Sequence, residues 1–218
     1  MRGVIQRPSV YDCLMRPLEG SAYGRHRKQL FGSLSGDILE IGVGTGRNLS
    51  AYGPQAHVTG CDIEPQLVAR ASRRGAKQHM PVLVADAERL PFHSAHFRYV
   101  TAALVFCSLP HPAWALHEVA RVLQADGRLI LLEHSITEHC ASDALLNLLA
   151  PSWKALTGGC VLNRDTTGLL RSLGWHLVRH ERYAGGLVRL IEALPPDTTA
   201  AVLREEHEAV GTAPQEQQ

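Results

Sequence analysis

The stretch that most constrains the fold of this chain is a short glycine-rich segment, Leu39-Glu40-Ile41-Gly42-Val43-Gly44-Thr45-Gly46-Arg47-Asn48-Leu49. It continues an apolar run over residues 37–41 that predicts a buried strand. Glycines after a first strand let the backbone turn tightly and approach a ligand without interference from Cβ atoms. A dinucleotide fingerprint requires Gly-x-Gly-x-x-Gly, but here the third glycine comes one residue early and Arg47 takes its place. The spacing therefore argues against NAD and FAD.

Beyond this loop the chain alternates short apolar runs with segments of helical periodicity. Further strands are predicted at residues 57–61, 81–85, 99–104 and 128–133, and helices at residues 65–74 and 112–123, with a turn at 125–127. A helix over residues 165–173 precedes one or two late strands. Strands that are apolar on both faces and alternate with helices predict a doubly wound parallel α/β sheet.

Two segments outside this alternation are expected to cover the sheet edge. Residues 9–32 predict one or two N-terminal cap helices, and residues 141–162 predict an apolar lid segment interrupted by Pro151. The chain has 218 residues, so residues 1–210 are expected to form a single domain, followed by a flexible tail at 211–218.

Composition excludes several classes of protein. The 22 Lys and Arg residues balance 21 Asp and Glu residues, which leaves no electrostatic footprint for a nucleic acid. No apolar run reaches the ~18 residues of a membrane span, and the first residues lack the apolar core of a signal peptide. The 5 cysteines are scattered without a Cys-x-x-Cys pair. Among the 12 histidines, His176 and His180 are four residues apart, but they lie in a predicted strand, where this spacing does not form a helical ligand pair. A cytoplasmic protein without a metal, a disulfide framework or integral membrane association is predicted.

Acidic residues follow the next two predicted strands at positions that suit a nucleoside. Asp62 ends the second strand, where a carboxylate can accept hydrogen bonds from both ribose hydroxyls. Asp86 follows the third strand in Val84-Ala85-Asp86-Ala87. Before the fifth strand the chain reads Arg121-Val122-Leu123-Gln124-Ala125-Asp126-Gly127-Arg128-Leu129.

Together these motifs resemble those of the class I S-adenosylmethionine (SAM) methyltransferases, whose first motif is acidic-x-Gly-x-Gly-x-Gly and whose fifth strand follows a similar turn. The resemblance implies a Rossmann-like, doubly wound, seven-stranded sheet with N-terminal and inserted lid helices. It also implies SAM as the methyl donor and S-adenosylhomocysteine as the product.

The same resemblance assigns expected roles to residues of this chain. The glycine loop would line the methionine part of SAM, Asp62 would hold the ribose, and Ile63 would pack on the adenine. Glu40 would either orient the loop or meet the amino group through water. The implied cofactor-binding set is Tyr11, Glu40, Gly42, Gly44, Thr45, Gly46, Asn48, Asp62, Ile63, Asp86, Ala87 and Leu104, with Asp86 and Ala87 at the adenine edge and the Leu104 backbone at the amino group.

Four later stretches are similar to a narrower group, the methyltransferase-like alkyl-thiol S-methyltransferases within the type 11, UbiE-like methyltransferases. They are Leu104-Val105-Phe106-Cys107-Ser108-Leu109, Leu132-Glu133-His134, Ala150-Pro151-Ser152-Trp153 and residues 159–165. The likeness covers roughly residues 9–183. It implies a small-molecule acceptor with a thiol. The apolar content of residues 141–162 predicts that this acceptor is largely apolar, and the balanced charge predicts no nucleic-acid partner. A monomer or homodimer is expected.

The chemistry requires little beyond alignment and one base. A thiol has a pKa of ~8.5, so a single general base suffices at neutral pH. His134 is the first candidate because it lies at the carboxyl end of the fifth strand. Tyr11, Asp12 and Asn163 are further catalytic candidates, for orientation or for covering the cofactor.

Several alternatives stay open at this point. His134 could merely line the pocket, and Cys107 and Cys160 could be redox-active instead of acting as small packing residues. Methylation could fall on a phospholipid headgroup nitrogen, or on carbon or oxygen of a quinone-like or natural-product acceptor. The chain could also bind SAM without catalysis.

Overall fold

Seven strands form one mixed sheet in the computed structural model, which describes residues 22–134, 148, 151–152, 160–161, 163–183 and 188–196. In chain order the elements are α1 (Ala22–Gly32), β1 (Gly36–Ile41), β2 (Ala56–Asp62), α2 (Pro65–Gly75), β3 (Val82–Val84), β4 (Phe97–Ala103), α3 (Pro112–Val122), β5 (Leu123–His134), α4 (Thr166–Ser172), β6 (His176–Tyr183) and β7 (Val188–Leu194).

The strand order is β3-β2-β1-β4-β5-β7-β6, and β7 runs antiparallel to both of its neighbours. The order reverses between β1 and β4, which pair in parallel. In an open α/β sheet, ligands bind at the carboxyl ends of the strands where the order reverses. The glycine loop after β1 and the turn after β4 therefore flank the expected crevice. The predicted Rossmann-like, doubly wound, seven-stranded class is confirmed.

Both faces of the sheet are covered, because alternate residues of each strand enter different apolar clusters. Ile38 packs in a cluster with Phe31 of α1, whereas Leu39 packs in a cluster with Leu116 of α3. All four side chains are fully buried. This period of two explains why the central strands read as continuous apolar runs in the sequence.

Helix boundaries follow local signals in the sequence. Both α2 and α3 begin with a proline, Pro65 and Pro112, at a first-turn position where no backbone N–H is needed. The Asp165 side chain caps α4 by accepting a hydrogen bond of 2.9 Å from the Gly168 amide.

The main departure from the predicted elements lies at the start of β5. Leu123 pairs with Phe97 and Arg128 pairs with Tyr99, so the four residues between Leu123 and Arg128 face a single residue of β4. The predicted turn at 125–127 is thus a bulge inside β5 rather than a turn before it. Helix α1 covers residues 22–32 of the predicted cap segment, and residues 9–21 of that segment lie outside the described part. Of the predicted lid, only residues 148, 151–152 and 160–161 are described.

Candidate functional site

The glycine loop adopts a backbone that favours glycine at three positions. Gly42, Gly44 and Gly46 have φ angles of 63°, 56° and 80°. A Cβ atom added at Gly42 would lie 2.4 Å from Cγ2 of Val105, and one at Gly46 would lie 3.0 Å from Cα of Ala71 in α2. The loop therefore needs glycine both to turn and to pack against its neighbours.

Asp62, the last residue of β2, holds this loop from the side. Its Oδ2 accepts a hydrogen bond of 2.9 Å from the Gly44 amide, and its Oδ1 accepts one of 2.9 Å from the Glu64 amide. Burial raises the pKa of the Asp62 carboxyl, and these amide bonds oppose that shift. The carboxylate therefore lies at the crevice beside the loop, where the resemblance places the ribose.

Glu40 lies beneath the loop as a buried acid, with 1% of its surface exposed. Its Oε1 accepts a hydrogen bond of 2.7 Å from Asn48 Nδ2, and Asn48 Oδ1 accepts one of 2.8 Å from Arg27 of α1. Burial raises the pKa of Glu40 to about 7, although the bond from Asn48 acts in the opposite direction. Of the two expected roles, the contacts match orientation of the loop.

The predicted adenine side lies at the carboxyl ends of β2 and β3. Ile63 follows β2 directly, and its apolar side chain is 66% exposed. Asp86 is exposed and its Oδ1 accepts a hydrogen bond of 2.9 Å from the Glu88 amide, while Ala87 is buried. An exposed apolar side chain and a free carboxylate edge fit a purine ring with an amino group.

The turn at residues 105–109, which follows β4, packs against the glycine loop through Val105 and Gly42. Leu104, just before it, has a left-handed φ of 60°, and its amide donates to the Leu132 carbonyl at 2.8 Å. Glu133 receives three consecutive amides of the turn: Val105 and Phe106 donate to Oε1 at 2.9 Å each, and Cys107 donates to Oε2 at 3.2 Å. Burial raises the pKa of this carboxyl, and the three amides oppose the shift.

The carbonyls of the same turn accept hydrogen bonds from the segment that precedes α4. Arg164 Nη1 donates to the Phe106 carbonyl at 2.8 Å and to the Leu109 carbonyl at 2.7 Å. The Val161 amide donates to the Cys107 carbonyl at 2.9 Å. Three of the four stretches that resemble the alkyl-thiol group thus meet at turn 105–109.

Cys107 and Cys160 are buried cysteines that form no disulfide, and the Cys160 thiol donates a hydrogen bond of 3.5 Å to Sγ of Cys107. The hydrogen bond from Cys160 and burial both raise the pKa of the Cys107 thiol well above its ordinary value. A thiol with a raised pKa carries little thiolate and is a poor nucleophile. This environment fits packing residues.

The remaining predicted residues fall in several places. Thr45 is buried and its carbonyl and Oγ1 accept hydrogen bonds from Arg74 of α2 at 2.7 and 2.9 Å. His134 is the last residue of β5, where its backbone pairs with Val188, and its side chain lies outside the described part. Asn163 lies half-buried next to Arg164. Tyr11 and Asp12 lie outside the described residues.

Sequence reasoning assigned no role to Glu133, Arg164 or Val105, and it did not include Arg27 or Arg74. Glu133 did carry a signal, because it is the single acid in the apolar run that begins at Leu129. A carboxylate inside a buried strand needs several donors, which points to neighbouring backbone amides. The partners of the arginines are backbone carbonyls or distant side chains, which leave no pattern in the sequence.

Within the part of the chain that the structure describes, no group of three or more His, Cys, Asp or Glu side chains could hold a metal ion. None of the helices in that part is both long enough and apolar enough to cross a bilayer.

The described residues fit the cofactor that the resemblance implies. Val105 packs so closely against Gly42 that only glycine fits at this point of the loop. Asp62 presents a carboxylate where the resemblance places the ribose, and Ile63 presents an exposed apolar side chain where it places the adenine. When bound, SAM would supply a methyl group activated by attachment to a sulfonium sulfur. The side chains named here would hold and orient it.

Comparisons with known proteins support the same assignment. A family model described as a methyltransferase domain matches residues 39–131. Thiol S-methyltransferase TMT1B of Rattus norvegicus is 35% identical over 136 residues, which cover 59% of this chain and 55% of the rat protein. The alignment thus spans about half the length of that relative.

A second relative is the ubiquinone/menaquinone biosynthesis C-methyltransferase UbiE of Rhizobium etli (strain CIAT 652), 30% identical over 179 residues, which cover 70% of this chain and 69% of UbiE. Among solved structures, one chain from a complex between the Haloferax volcanii Trm112 methyltransferase activator and a methyltransferase superposes with a TM-score of 0.70. It covers 90% of this chain and 99% of its own length at 16% identity, which establishes likeness of fold.

Proposed function

The chain belongs to the class I SAM-dependent methyltransferases, and we propose that it transfers the methyl group of SAM to the thiol of a small, largely apolar molecule. The acceptor sulfur attacks the methyl carbon in line with the sulfonium sulfur. The new sulfur–carbon bond forms as the old one breaks, S-adenosylhomocysteine leaves, and the thiol proton passes to a base. The products are a methyl thioether and a proton.

One observation carries the choice of a thiol. Three stretches similar to the alkyl-thiol group are in contact at turn 105–109, directly across from the glycine loop. The similarity to thiol S-methyltransferase TMT1B supports the same choice. An acceptor would reach the methyl group beside this turn, so these stretches are well placed to select it.

The protein's own contribution to such a transfer is alignment and desolvation of two reactants. The loop and Asp62 would fix the donor, and we propose that residues 9–32 and 141–162 roof the acceptor. His134, at the carboxyl end of β5, is the proposed general base, with Tyr11, Asp12 and Asn163 as orienting groups. Replacing His134 by alanine should lower turnover more than SAM affinity. Unchanged turnover over about pH 6 to 9 would remove it as the base.

The decisive experiment compares acceptors that differ only in the nucleophilic atom. Purified protein is incubated with SAM carrying a deuterated methyl group and with a thiol, an amine and an alcohol built on one apolar carbon skeleton. A phenol and a phospholipid are added to the panel. Products are detected by mass, and the Asp62→Ala variant gives the background rate. We expect the thiol alone to gain the labelled methyl group.

Other outcomes would contradict the thiol assignment. Labelling of only the amine or the phospholipid would assign N-methylation to this chain. Tight SAM binding without any labelled product would instead indicate a SAM-binding module without catalysis.

A second candidate is C-methylation of a quinone-like ring. The observation that favours it is the likeness to UbiE, 30% identical over 179 residues, which is similar in extent to the likeness to human thiol S-methyltransferase TMT1B, 30% identical over 171 residues. A hydroxylated aromatic ring in the same panel tests it. A methyl group found on ring carbon, with the thiol unmodified, would make this the function.

A further inference from the structure

Turn 105–109 is held by two groups of opposite charge, Glu133 on its amides and Arg164 on its carbonyls. We propose that these two residues are positioning residues for methyl transfer. By fixing the turn against the glycine loop, they set the width of the crevice in which the methionine end of SAM would lie. The inference rests on the proposed function only in taking SAM as the ligand.

Glu133 is fully buried on β5, an interior strand of the sheet, and its carboxylate accepts hydrogen bonds from three successive amides. A carboxylate is a stronger acceptor than a neutral oxygen, and it can receive all three amides at once. Three amides aimed at one side chain fix the path of the backbone between Val105 and Cys107.

Arg164 holds the carbonyls of the turn. Arg164 comes from the segment before α4, far along the chain from β4, and one of its nitrogens reaches two carbonyls of the turn. The amides thus point at a negative charge and the carbonyls at a positive charge, so both charges favour the same orientation of the peptide groups. Loss of either side chain leaves buried or part-buried backbone groups of the turn without these partners.

Turn 105–109 contacts the glycine loop through Val105. Val105 fills the space beside Gly42 so closely that a Cβ there would lie 2.4 Å from its Cγ2 atom. Leu104 is held in a left-handed conformation directly before the turn. Since interiors are close-packed, a shift of the turn must move Val105 relative to Gly42. A change at Glu133 or Arg164 that shifts the turn would therefore also disturb the glycine loop through Val105.

The test uses four single variants and SAM affinity measured by calorimetry. Glu133→Gln keeps the size of the side chain but offers an amide nitrogen that cannot accept a hydrogen bond from Cys107. Arg164→Met removes the donor, whereas Arg164→Lys keeps one. We expect Glu133→Gln and Arg164→Met to weaken SAM binding by roughly tenfold, and Arg164→Lys to stay within about twofold of wild type.

Arg121→Met is the matched control. Arg121 also donates to two backbone carbonyls, those of Phe92 at 2.7 Å and Leu90 at 3.0 Å, but between α3 and the connection that leads into β4. We expect this variant to lower the melting temperature and to leave SAM affinity within about twofold of wild type. If it weakened SAM binding as much as Arg164→Met, or if the latter lost only stability, the positioning role would be wrong.

A second measurement needs no variant. Hydrogen exchange of the wild-type amides at Val105, Phe106 and Cys107 should slow when S-adenosylhomocysteine is bound, because the ligand would close the crevice over the turn. Unchanged exchange at these amides, with slowed exchange in the glycine loop, would contradict the proposal. Calorimetry measures SAM binding and hydrogen exchange measures the response to S-adenosylhomocysteine, and neither depends on the methyl acceptor. Failure of the thiol assay alone would therefore overturn the proposed acceptor and not this inference.

Discussion

The two edges of the sheet use the same acidic residue types in opposite electrostatic environments. At the carboxyl edge, Glu40, Asp62 and Glu133 accept hydrogen bonds from backbone amides or an asparagine, and burial raises the pKa of each. At the amino edge, Glu118 forms an ion pair of 2.7 Å with Arg121, which lowers the pKa of Glu118. Glu192 of β7 is likewise paired with Arg128 of β5.

The comparison separates acids whose charged form is stabilised in the folded chain from acids whose charged form is destabilised there. A carboxylate paired with arginine is favoured in its charged form, whereas a desolvated carboxylate is disfavoured except as far as hydrogen-bond donors compensate. The carboxyl-edge acids hold the loop and the turn that flank the crevice. Clusters of raised pKa values at such an edge are typical of functional sites.

The largest expected effect is the loss of cofactor binding on replacing Asp62 by alanine. This change removes the proposed acceptor for the ribose hydroxyls and also the partner of the Gly44 amide, which lies at 2.9 Å. We expect SAM affinity to fall by at least ~100-fold while the circular dichroism spectrum is retained. Titration calorimetry measures the affinity.

Asp37→Ala is the matched control at the amino edge. Asp37 is an exposed acid at the start of β1, 3.4 Å from His57. Its loss should leave SAM affinity unchanged. Near wild-type affinity in the Asp62→Ala protein would refute the placement of the ribose.

A second large effect is expected from Gly42→Ala. The new methyl group would lie 2.4 Å from Cγ2 of Val105, at a φ of 63°. We expect the free energy of unfolding to fall by about 3 kcal/mol from overpacking and backbone strain. Urea denaturation measures it.

A double-mutant cycle with Val105→Ala tests whether the contact is the cause. Removing both Cγ atoms should restore at least ~1 kcal/mol of the loss, since only Cβ of Val105 remains near the new methyl group. Strict additivity of the two changes would show that the loop and the turn are not in contact.

An intermediate effect concerns the pH dependence of stability. The pKa of Glu40 is about 7 in the folded chain, above its ordinary value of 4.5, so the folded state keeps a proton that the unfolded state releases. The stabilisation is fully present below the ordinary pKa and is lost as pH rises toward 7. Between about pH 5 and 7.5 we expect wild type to lose about 2 kcal/mol relative to Glu40→Gln. Denaturation at several pH values measures it, and parallel curves would contradict the expectation.

The smallest effect is expected at the amino edge, from Glu118→Gln. The lowered pKa of Glu118 means that its stabilisation is present above the ordinary pKa and is lost as pH falls through the lowered value. At neutral pH the variant should be about 1 kcal/mol less stable, with unchanged SAM affinity. The gap between the two proteins should close in acid. A gap that widened in acid would contradict the assignment.

Much of the cofactor edge could be predicted because its determinants are local. The glycine spacing and Asp62 follow directly on strands whose apolar runs are continuous, so the position of each residue at the sheet edge comes from the periodicity alone. The bulge at 124–127 was missed because Gly127 reads as an ordinary turn residue, and only the pairing of Leu123 with Phe97 places it inside β5. Arg164 was missed for a related reason, since its partners are carbonyls more than fifty residues away, which have no side-chain signature.

The clamped turn also has a consequence for the order of folding. The glycine loop, Asp62 and their hydrogen bonds lie within one short length of chain, so they can form early during synthesis. Turn 105–109 obtains its acceptor from β5 and its cation from Arg164, so its hydrogen bonds await segments made much later. Such long-range closure is slow in α/β domains. A nascent chain that ends before residue 160 would contain the glycine loop and Glu133, but it would lack Arg164 and its hydrogen bonds to turn 105–109.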